Sequence, residues 1–300
     1  MHRLALCVAL CLLPAACSSK APDTQHQTTV PDAGPLGGDR PVKPYVPASY
    51  DPSKPTPLVV LLHGYGASGL AQELLFQFKA RADKLGFIYM YPDGTVDSSG
   101  KRFWNATDAC CDFGSTGVDD SAYIESLIDQ AKSKYNIDPK RVFVVGHSNG
   151  AFMAYRMACD HADTIAAAVS LAGAMYSDVS NCKPGEPVSV LQIHGSDDQT
   201  VLYAGGVISD ADAGASYPGA KTSVADWAKF DGCSTTPKSG APLDLTDAQP
   251  GAETTVENYD GCKNGTTAEL WTMHGEGHIP AINDTWRDDV IDFVLSHPKP

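Results

Sequence analysis

The chain has 300 residues, of which 43% are hydrophobic and 19% charged, so it can form one large or two small globular domains with a sizeable core. This composition excludes an intrinsically disordered chain. The formal net charge of −14 argues against nucleic acids, anionic polymers and membrane surfaces as main partners, and favours neutral ligands.

The first residues have the pattern of an export signal. An apolar run from Leu4 to Leu13 follows a short basic start, and small residues lead up to Cys17. This run is too short to span a bilayer as a mature helix. Because the small residues before Cys17 resemble a bacterial lipobox, residues 1–16 are expected to be a signal peptide and Cys17 to carry the lipid of a cell-envelope lipoprotein. Pro14 stands where a lipobox usually has a branched aliphatic residue, so secretion without a lipid anchor stays open.

A linker is predicted between this signal and the folded part of the protein. Residues 17–41 are rich in Ser, Thr, Pro, Gly and Asp and contain few large apolar residues. Such a composition is typical of a flexible tether. The folded domain is therefore expected to extend over residues 42–300.

Apolar runs and helical patterns alternate through this domain. Strands are predicted at residues 58–62, 87–91, 142–145, 166–171, 188–193 and 268–273, and helices at 70–85, 118–135, after 148, and from 281 to 294. In the first helix, Leu70, Leu74, Leu75 and Phe78 are expected to share the buried face. The alternation predicts an α/β fold with a mainly parallel central sheet and helices on both faces. Its chemistry should lie beyond the carboxyl ends of the strands.

The sequence Gly146-His147-Ser148-Asn149-Gly150 lies between a predicted strand and a predicted helix. This is the context in which a G-x-S-x-G motif forms a nucleophile elbow. The two glycines leave room for a sharp, strained turn, and Ser148 is expected to be held at the positive end of the helix. Ser148 is therefore the candidate nucleophile.

A serine nucleophile needs a base, and the base needs an orienting acid. In the chain order of α/β-hydrolases the acid follows the serine and the histidine comes last. The loop after residues 188–193 offers Asp197 and Asp198, and we prefer Asp198 because it is centred in the turn. The loop after residues 268–273 offers His274 and His278, and His278 has the freer, glycine-flanked position. Three histidines beside these motifs are expected to hold loops by hydrogen bonds: His63, His147 and His194.

A tetrahedral intermediate needs two hydrogen-bond donors for its oxyanion. The backbone N–H of Asn149 is one candidate, and that of Tyr65, in the loop after the first strand, is the other. Tyr65 and Trp104 are also candidates for lining the acyl pocket. Trp104 lies in a polar loop, residues 93–117, which is long enough to be either functional or stapled by cysteines.

Six cysteines follow the signal region, and an even number in an exported chain indicates disulfides. They are Cys110, Cys111, Cys159, Cys182, Cys233 and Cys262. The residues alone leave their pairing open. No C-x-x-C pair with a matching histidine spacing occurs, so no metal site is expected.

Several of these segments resemble one family of exported α/β-hydrolases, which includes polyhydroxybutyrate depolymerases and feruloyl esterases. The matching segments are residues 57–64, the Cys110-Cys111 pair before Val118-Asp119-Asp120, residues 145–159, Gly195-x-x-Asp198-x-x-Val201, Trp227 before Cys233, and Gly275-x-Gly277-His278. The resemblance implies an α/β-hydrolase fold, a Ser148–Asp198–His278 triad and a Cys233–Cys262 disulfide. One departure is Ile279-Pro280 after His278, where the family often has Trp-Pro. If that Trp contacts aromatic acyl groups, its absence weakens the feruloyl assignment.

The expected function is an exported serine carboxylesterase without a cofactor. Its substrates would be neutral esters, either feruloyl or acetyl groups on plant polysaccharides or hydroxyalkanoate polyesters and oligomers. Two alternatives stay open: a serine exopeptidase of the same fold, and a non-catalytic surface lipoprotein that binds a glycan or polymer. We expect no nucleic-acid partner and a membrane association only through the lipid anchor. The sequence leaves the oligomeric state and the acyl and alcohol specificity open.

Overall fold

The computed structural model describes residues 34–208 and 215–300. Twelve strands occur in these ranges: β1 (Thr56–Leu62), β2 (Ile88–Met90), β3 (Thr95–Val96), β4 (Arg102–Phe103), β5 (Ile137–His147), β6 (Ala167–Leu171), β7 (Ser189–Gly195), β8 (Gly205–Val207), β9 (Ser216–Pro218), β10 (Lys238–Ser239), β11 (Thr254–Tyr259) and β12 (Ala268–Met273). The α-helices are α1 (Gly69–Phe76), α2 (Phe78–Leu85), α3 (Asp120–Lys134), α4 (Asn149–Asp160), α5 (Ala220–Phe230) and α6 (Asp284–Ser296). The expected signal peptide and Cys17 lie outside the described residues.

Eight strands form the central sheet, in the order β10-β11-β12-β7-β6-β5-β1-β2. All the pairings from β12 to β2 are parallel, and β11 runs antiparallel to both of its neighbours. The pairs β3–β4 and β8–β9 form separate two-stranded ribbons. This arrangement confirms the predicted fold class.

Both faces of the parallel part of the sheet are buried, which explains why its strands contain unbroken apolar runs. In β1, Leu58, Val60 and Leu62 pack in one hydrophobic cluster, which includes residues of α3, α4 and α5. Val59 and Leu61 pack in the other, which includes residues of α2 and α6. The alternation follows from the two-residue period of a strand. Each side chain buried in this way contributes about 1.5–3 kcal/mol to folding.

The predicted helix over residues 70–85 is wrong, because the chain forms two helices there. Gln77 adopts a left-handed conformation between α1 and α2. The carboxylate of Glu73 accepts hydrogen bonds from the backbone N–H groups of Phe78 and Lys79, and it thereby caps the start of α2. The buried face also differs, since Leu70 and Leu74 are 56% and 70% exposed.

The predicted boundary between linker and domain at residue 42 is also wrong. Leu36 is buried and pairs with Val42 through two backbone hydrogen bonds. The guanidinium of Arg40 contacts the buried carboxylate of Asp120. The backbone carbonyl of Arg40 accepts a hydrogen bond from the Tyr123 hydroxyl at 2.6 Å. These long-range contacts bring part of the predicted linker into the domain.

Helix α5 and strand β11 are among the elements that were not predicted from the sequence. Helix α5 begins after Gly219, which has no side chain to cap it. Strand β11 is half-exposed along most of its length and has no apolar run. Both lack the local signals on which the prediction depended.

The structure pairs the six cysteines as three disulfides, which confirms that the chain is disulfide-bonded. Cys233 is joined to Cys262, the pair implied by the resemblance, and Cys159 is joined to Cys182. Cys110 is joined to its neighbour Cys111 within the long polar loop. Within the described ranges, no helix combines the length and apolar character needed to cross a membrane.

Candidate active site

Ser148 occupies a strained turn between the end of β5 and the start of α4. Its φ and ψ are 54° and −123°, a combination that few residues other than glycine adopt. A Cβ at position 146 would lie 1.9 Å from the carbonyl oxygen of Gly150, and one at position 150 would lie 2.2 Å from that of Leu62. Glycine is therefore required at both positions by lack of space.

The side chains of Ser148, His278 and Asp198 form one chain of hydrogen bonds. The Ser148 Oγ lies 2.8 Å from Nε2 of His278, and Nδ1 of His278 lies 2.8 Å from Oδ2 of Asp198. Since a carboxylate can only accept, Nδ1 carries the proton and Nε2 is left to accept from the serine hydroxyl. Asp197 is not part of this series of hydrogen bonds. Its carboxylate accepts from the Ser196 hydroxyl at 2.8 Å.

Asp198 is buried and its charge is compensated by several donors. Its Oδ1 accepts from the backbone N–H groups of Thr200 and Val201 at 2.8 and 2.9 Å, and its Oδ2 also lies 3.3 Å from Nε2 of His194. Burial alone would raise the pKa of Asp198, but the hydrogen bonds from His194, His278 and Thr200 outweigh it and hold the pKa well below its usual value. The group is therefore ionised at neutral pH.

Three further histidines hold the loops of the site, as predicted. Nε2 of His63 accepts from the backbone N–H of Gly94, and Nε2 of His194 contacts the carbonyl of Val201. His147 contacts the carbonyl of His278 at 2.9 Å through its own Nε2. Burial, together with the nearby His278, lowers the pKa of His147 to about 4. His147 is therefore neutral at pH 7, and it donates this hydrogen bond.

The loops that carry the acid and the base touch each other through backbone. A Cβ at Gly195 would lie 2.2 Å from the carbonyl oxygen of Glu276, so glycine is needed for this approach. The buried carboxylate of Glu276 accepts from the Thr246 hydroxyl at 2.7 Å and from the backbone N–H of Ala281 at 3.2 Å. Glu276 therefore fixes the loop two residues before His278. This role was not predicted from the sequence, where its only signal is a carboxylate between two glycines.

The side chain of Asn149 has a structural role that was not predicted from the sequence. As the first residue of α4, Asn149 has a backbone N–H that is outside the hydrogen-bond ladder of the helix. Its side chain is buried and pairs with the backbone of Trp104 on both sides, accepting at 2.7 Å and donating at 2.8 Å. The side chain thereby attaches the long polar loop to the elbow.

Of the two pocket candidates, Trp104 is wrong. The side chain is fully buried, packs against His63 and donates its indole N–H to the His63 carbonyl at 3.0 Å. This residue is part of the core, where the indole N–H has a hydrogen-bond acceptor. Tyr65 is half-buried, donates its hydroxyl to Asp97 at 2.7 Å and packs edge-on against Phe113. Its roles in the oxyanion site and in the pocket stay predictions.

The loop after β1 lies directly against the elbow. A Cβ at Gly64 would lie 3.2 Å from the Ser148 Cβ, so the residues beside Gly64 border the serine. In the described part of the chain, no group of three or more His, Cys, Asp or Glu side chains has the geometry to hold a metal ion.

Residues 48–211 match the model of the phospholipase/carboxylesterase family. Feruloyl esterase B of Piromyces equi is 31% identical over 83% of this chain and 44% of its own length. A bifunctional acetylxylan esterase/xylanase of Neocallimastix patriciarum is 26% identical over 86% of this chain and 33% of its own length. The chain thus spans less than half the length of these two curated relatives.

Solved structures share the fold. An acetyl xylan esterase from Aspergillus awamori superposes with a TM-score of 0.62 at 20% identity, and the match covers 87% of this chain and 96% of that one. An S-formylglutathione hydrolase from Agrobacterium tumefaciens gives a TM-score of 0.53 at 15% identity. At these identities the likeness concerns the arrangement of helices and strands alone.

Proposed function

This chain belongs to the phospholipase/carboxylesterase family of α/β-hydrolases, and we propose on that basis that it is a serine carboxylesterase. The observation that carries the proposal is the continuous hydrogen-bond chain from the Ser148 hydroxyl through His278 to Asp198, with both links at 2.8 Å. A hydroxyl in this setting loses its proton to the imidazole as it attacks a carbonyl carbon.

The reaction would proceed through an acyl-enzyme. Ser148 Oγ attacks the ester carbonyl while Nε2 of His278 takes the hydroxyl proton, and the ionised Asp198 stabilises the imidazolium that forms. Collapse of the tetrahedral intermediate expels the alcohol, which receives the proton from His278. A water molecule then attacks the acyl-enzyme, with His278 again as the base, and releases the acid. The backbone N–H of Asn149 is the donor best supported for the oxyanion, because it starts α4.

We propose acyl groups on plant polysaccharides as the substrates, feruloyl or acetyl in type. The support is the activity named for the relatives, which are a feruloyl esterase and an acetylxylan esterase/xylanase. The net charge of −14 agrees with a neutral substrate. Hydrolysis of hydroxyalkanoate esters stays a prediction of the sequence resemblance. Export, with or without a lipid on Cys17, also stays a prediction.

The Ser148→Ala variant is expected to lower kcat for p-nitrophenyl acetate and methyl ferulate by at least about 10³-fold, since the nucleophile is lost. Labelling with a fluorophosphonate probe should disappear in the same variant. Ser177→Ala is the matched control, because Ser177 is exposed and its side chain bonds only to Ser216 among the described residues. Full turnover or full labelling of the Ser148→Ala protein would refute the mechanism.

A panel of substrates separates the possible activities. Acetylated xylo-oligosaccharides and feruloylated arabinoxylo-oligosaccharides test for activity on polysaccharide esters. A hydroxybutyrate dimer tests for polyester hydrolysis, and a peptide p-nitroanilide tests for exopeptidase activity. We expect kcat/KM to be highest for one of the two sugar esters. A higher value for the dimer or the anilide would overturn the substrate proposal while leaving the nucleophile intact.

A further inference from the structure

A cavity opens beside the loops that carry the acid and the base. We call it the side groove, and its volume is about 550 Å³, which lies within the range of pockets for small ligands. Ser196 and His274 line it from these two loops, and β11, β12 and the start of α5 supply most of the other walls. Its lining also includes Tyr203, Lys221, Thr255, Glu257 and Thr272.

The side groove lies at the same edge of the sheet as the candidate nucleophile. Ser196 and His274 directly follow β7 and β12, two parallel neighbours of the sheet. Ser148 follows β5, which is two strands from β7 and four from β11. With about 4.8 Å between neighbouring strands, the groove begins roughly 10 Å from the elbow and ends roughly 19 Å from it. A chain molecule of a few linked rings can span this distance.

The polar groups that line the groove are paired donors and acceptors. Lys221 Nζ lies 3.1 Å from a carboxylate oxygen of Glu257, and the two opposite charges cancel. The Tyr203 hydroxyl lies 2.7 Å from that of Thr272, and the Thr255 hydroxyl lies 3.0 Å from Nε2 of His274. The half-buried ring of Tyr203 adds an apolar surface. The groove therefore offers hydrogen bonds in both directions beside an aromatic ring, without net charge from its ion pair.

These features restrict the kind of ligand. A charged ligand would gain no net attraction from the ion pair, because one member attracts it and the other repels it. A wholly apolar ligand would remove Lys221, Glu257 and the hydroxyls from water and leave the donors and acceptors not used in these pairs without partners, which is costly. A neutral ligand that carries both hydroxyls and C–H faces satisfies all of them, because each hydroxyl both donates and accepts. Sugar rings have this chemistry.

We propose that the side groove binds unmodified sugar residues of the polysaccharide whose ester lies at Ser148. The groove would hold the alcohol part of the substrate. This role in catalysis rests on the proposed esterase function. Because the same two loops line the groove and carry Asp198 and His278, a bound sugar chain would lead directly to the elbow. The groove thereby distinguishes an ester on a sugar chain from a small free ester.

The first test measures binding without catalysis. The Ser148→Ala protein is titrated with xylohexaose, an unesterified neutral oligosaccharide, in a calorimeter. We expect saturable binding that the Lys221→Ala/Glu257→Gln double variant weakens at least tenfold. The matched control is Lys229→Ala/Asp226→Asn, which removes another ion pair of α5 that is outside the groove lining. No binding by the parent, or equal weakening by both pairs, would overturn the proposal.

The second test measures discrimination. We compare kcat/KM for a feruloylated arabinoxylo-oligosaccharide with that for methyl ferulate. The ratio should fall at least tenfold in the Lys221→Ala/Glu257→Gln variant, mainly through KM for the oligosaccharide, and should stay at the parent value in the Lys229→Ala/Asp226→Asn control. An unchanged ratio in the groove variant would refute the proposal. Xylohexaose binding through the groove in a protein without esterase activity would instead refute the proposed function and retain the site.

Discussion

At the scale of single residues, the candidate site depends on a few side chains whose positions are fixed by backbone contacts. Ser148 keeps its strained conformation in a turn so tight that only glycine fits at positions 146 and 150. Asp198 is fixed by the N–H groups of Thr200 and Val201, and Glu276 fixes the loop of His278. Such support is what keeps reacting groups aligned to within about half an ångström.

Asp198→Asn is expected to lower kcat for p-nitrophenyl acetate by roughly 10³- to 10⁴-fold. The Asn oxygen can keep the hydrogen bonds from Thr200 and Val201, which directs the amide NH₂ toward Nδ1 of His278. Nδ1 must then accept, so the proton moves to Nε2, which can no longer take the proton of Ser148. Steady-state kinetics measure the loss of kcat, and the thermal midpoint of unfolding shows whether the variant stays folded.

Asp197→Asn is the control for this substitution, since Asp197 is adjacent in sequence and, within residues 34–208 and 215–300, its carboxylate bonds to Ser196 alone. We expect its kcat to stay within about threefold of the parent value. Similar losses in both variants, or a kcat above a tenth of the parent value in Asp198→Asn, would contradict the assignment of the acid.

At the scale of elements, helix α5 ends on a buried carboxylate. Asp231 is 1% exposed and is the C-cap residue of the helix, where the helix dipole disfavours a negative charge. Burial raises the pKa of Asp231 to about 7, against a value of 3.8 for an unperturbed aspartate. Its Oδ2 has no hydrogen-bond partner in the part of the chain that the structure describes. This helix end is therefore less stable when Asp231 is ionised.

The sign of the pH dependence follows from the raised pKa. Between about pH 4 and pH 7 the folded protein holds a proton that the unfolded chain has released, so this group's contribution to stability is present at low pH and is lost as the pH rises through 7. Asp231→Asn removes this loss. We expect the variant to be more stable than the parent at pH 8 by roughly 2–4 kcal/mol, and the difference to vanish near pH 4.

Urea unfolding at pH 4, 6 and 8 measures the free energy of unfolding of the Asp231→Asn variant and of the parent. The difference between variant and parent should grow steadily across this range. A difference that does not depend on pH would show that Asp231 keeps an ordinary pKa in the folded protein.

The elements that sequence patterns identified are those whose burial is continuous along the chain. Strand β12 has the predicted bounds, and β1, β6 and β7 differ by one or two residues at their ends. The patterns failed where a distant or polar contact decided the structure. Glu73 divides one predicted helix into two, and β11 takes its place through pairing with β12 despite its half-exposed residues.

At the scale of the whole molecule, two disulfides connect segments that are distant in sequence. Cys159 and Cys182 are separated by 23 residues, and Cys233 and Cys262 by 29. Closing a loop of this length restricts the unfolded chain and is worth about 3 kcal/mol. Both bonds should therefore contribute similarly to stability.

The Cys233→Ser/Cys262→Ser double variant is expected to lower the free energy of unfolding by about 3 kcal/mol, measured in urea without reductant. The Cys159→Ser/Cys182→Ser variant serves as the comparison, with a predicted loss of the same size. An unchanged urea midpoint in either variant would contradict the role of that bond in stability.

The sequence by itself determined the α/β class, the six main strands, the elbow with its Ser148, and the disulfide-bonded nature of the chain. Local patterns carry this information, because apolar runs, glycine spacing and the even number of cysteines need no distant partner to be read. It also named Asp198 and His278 as the most suitable partners of Ser148.

Only the tertiary structure decided which side chains meet. It brought His278 and Asp198 to within 2.8 Å of each other, placed Trp104 in the core, and joined Cys110 to Cys111. It also formed the side groove from β11, β12, α5 and two loops. These results depend on contacts between residues far apart in the chain. The positions of such residues are fixed by the packing of the whole sheet and its helices, which no short window of sequence contains.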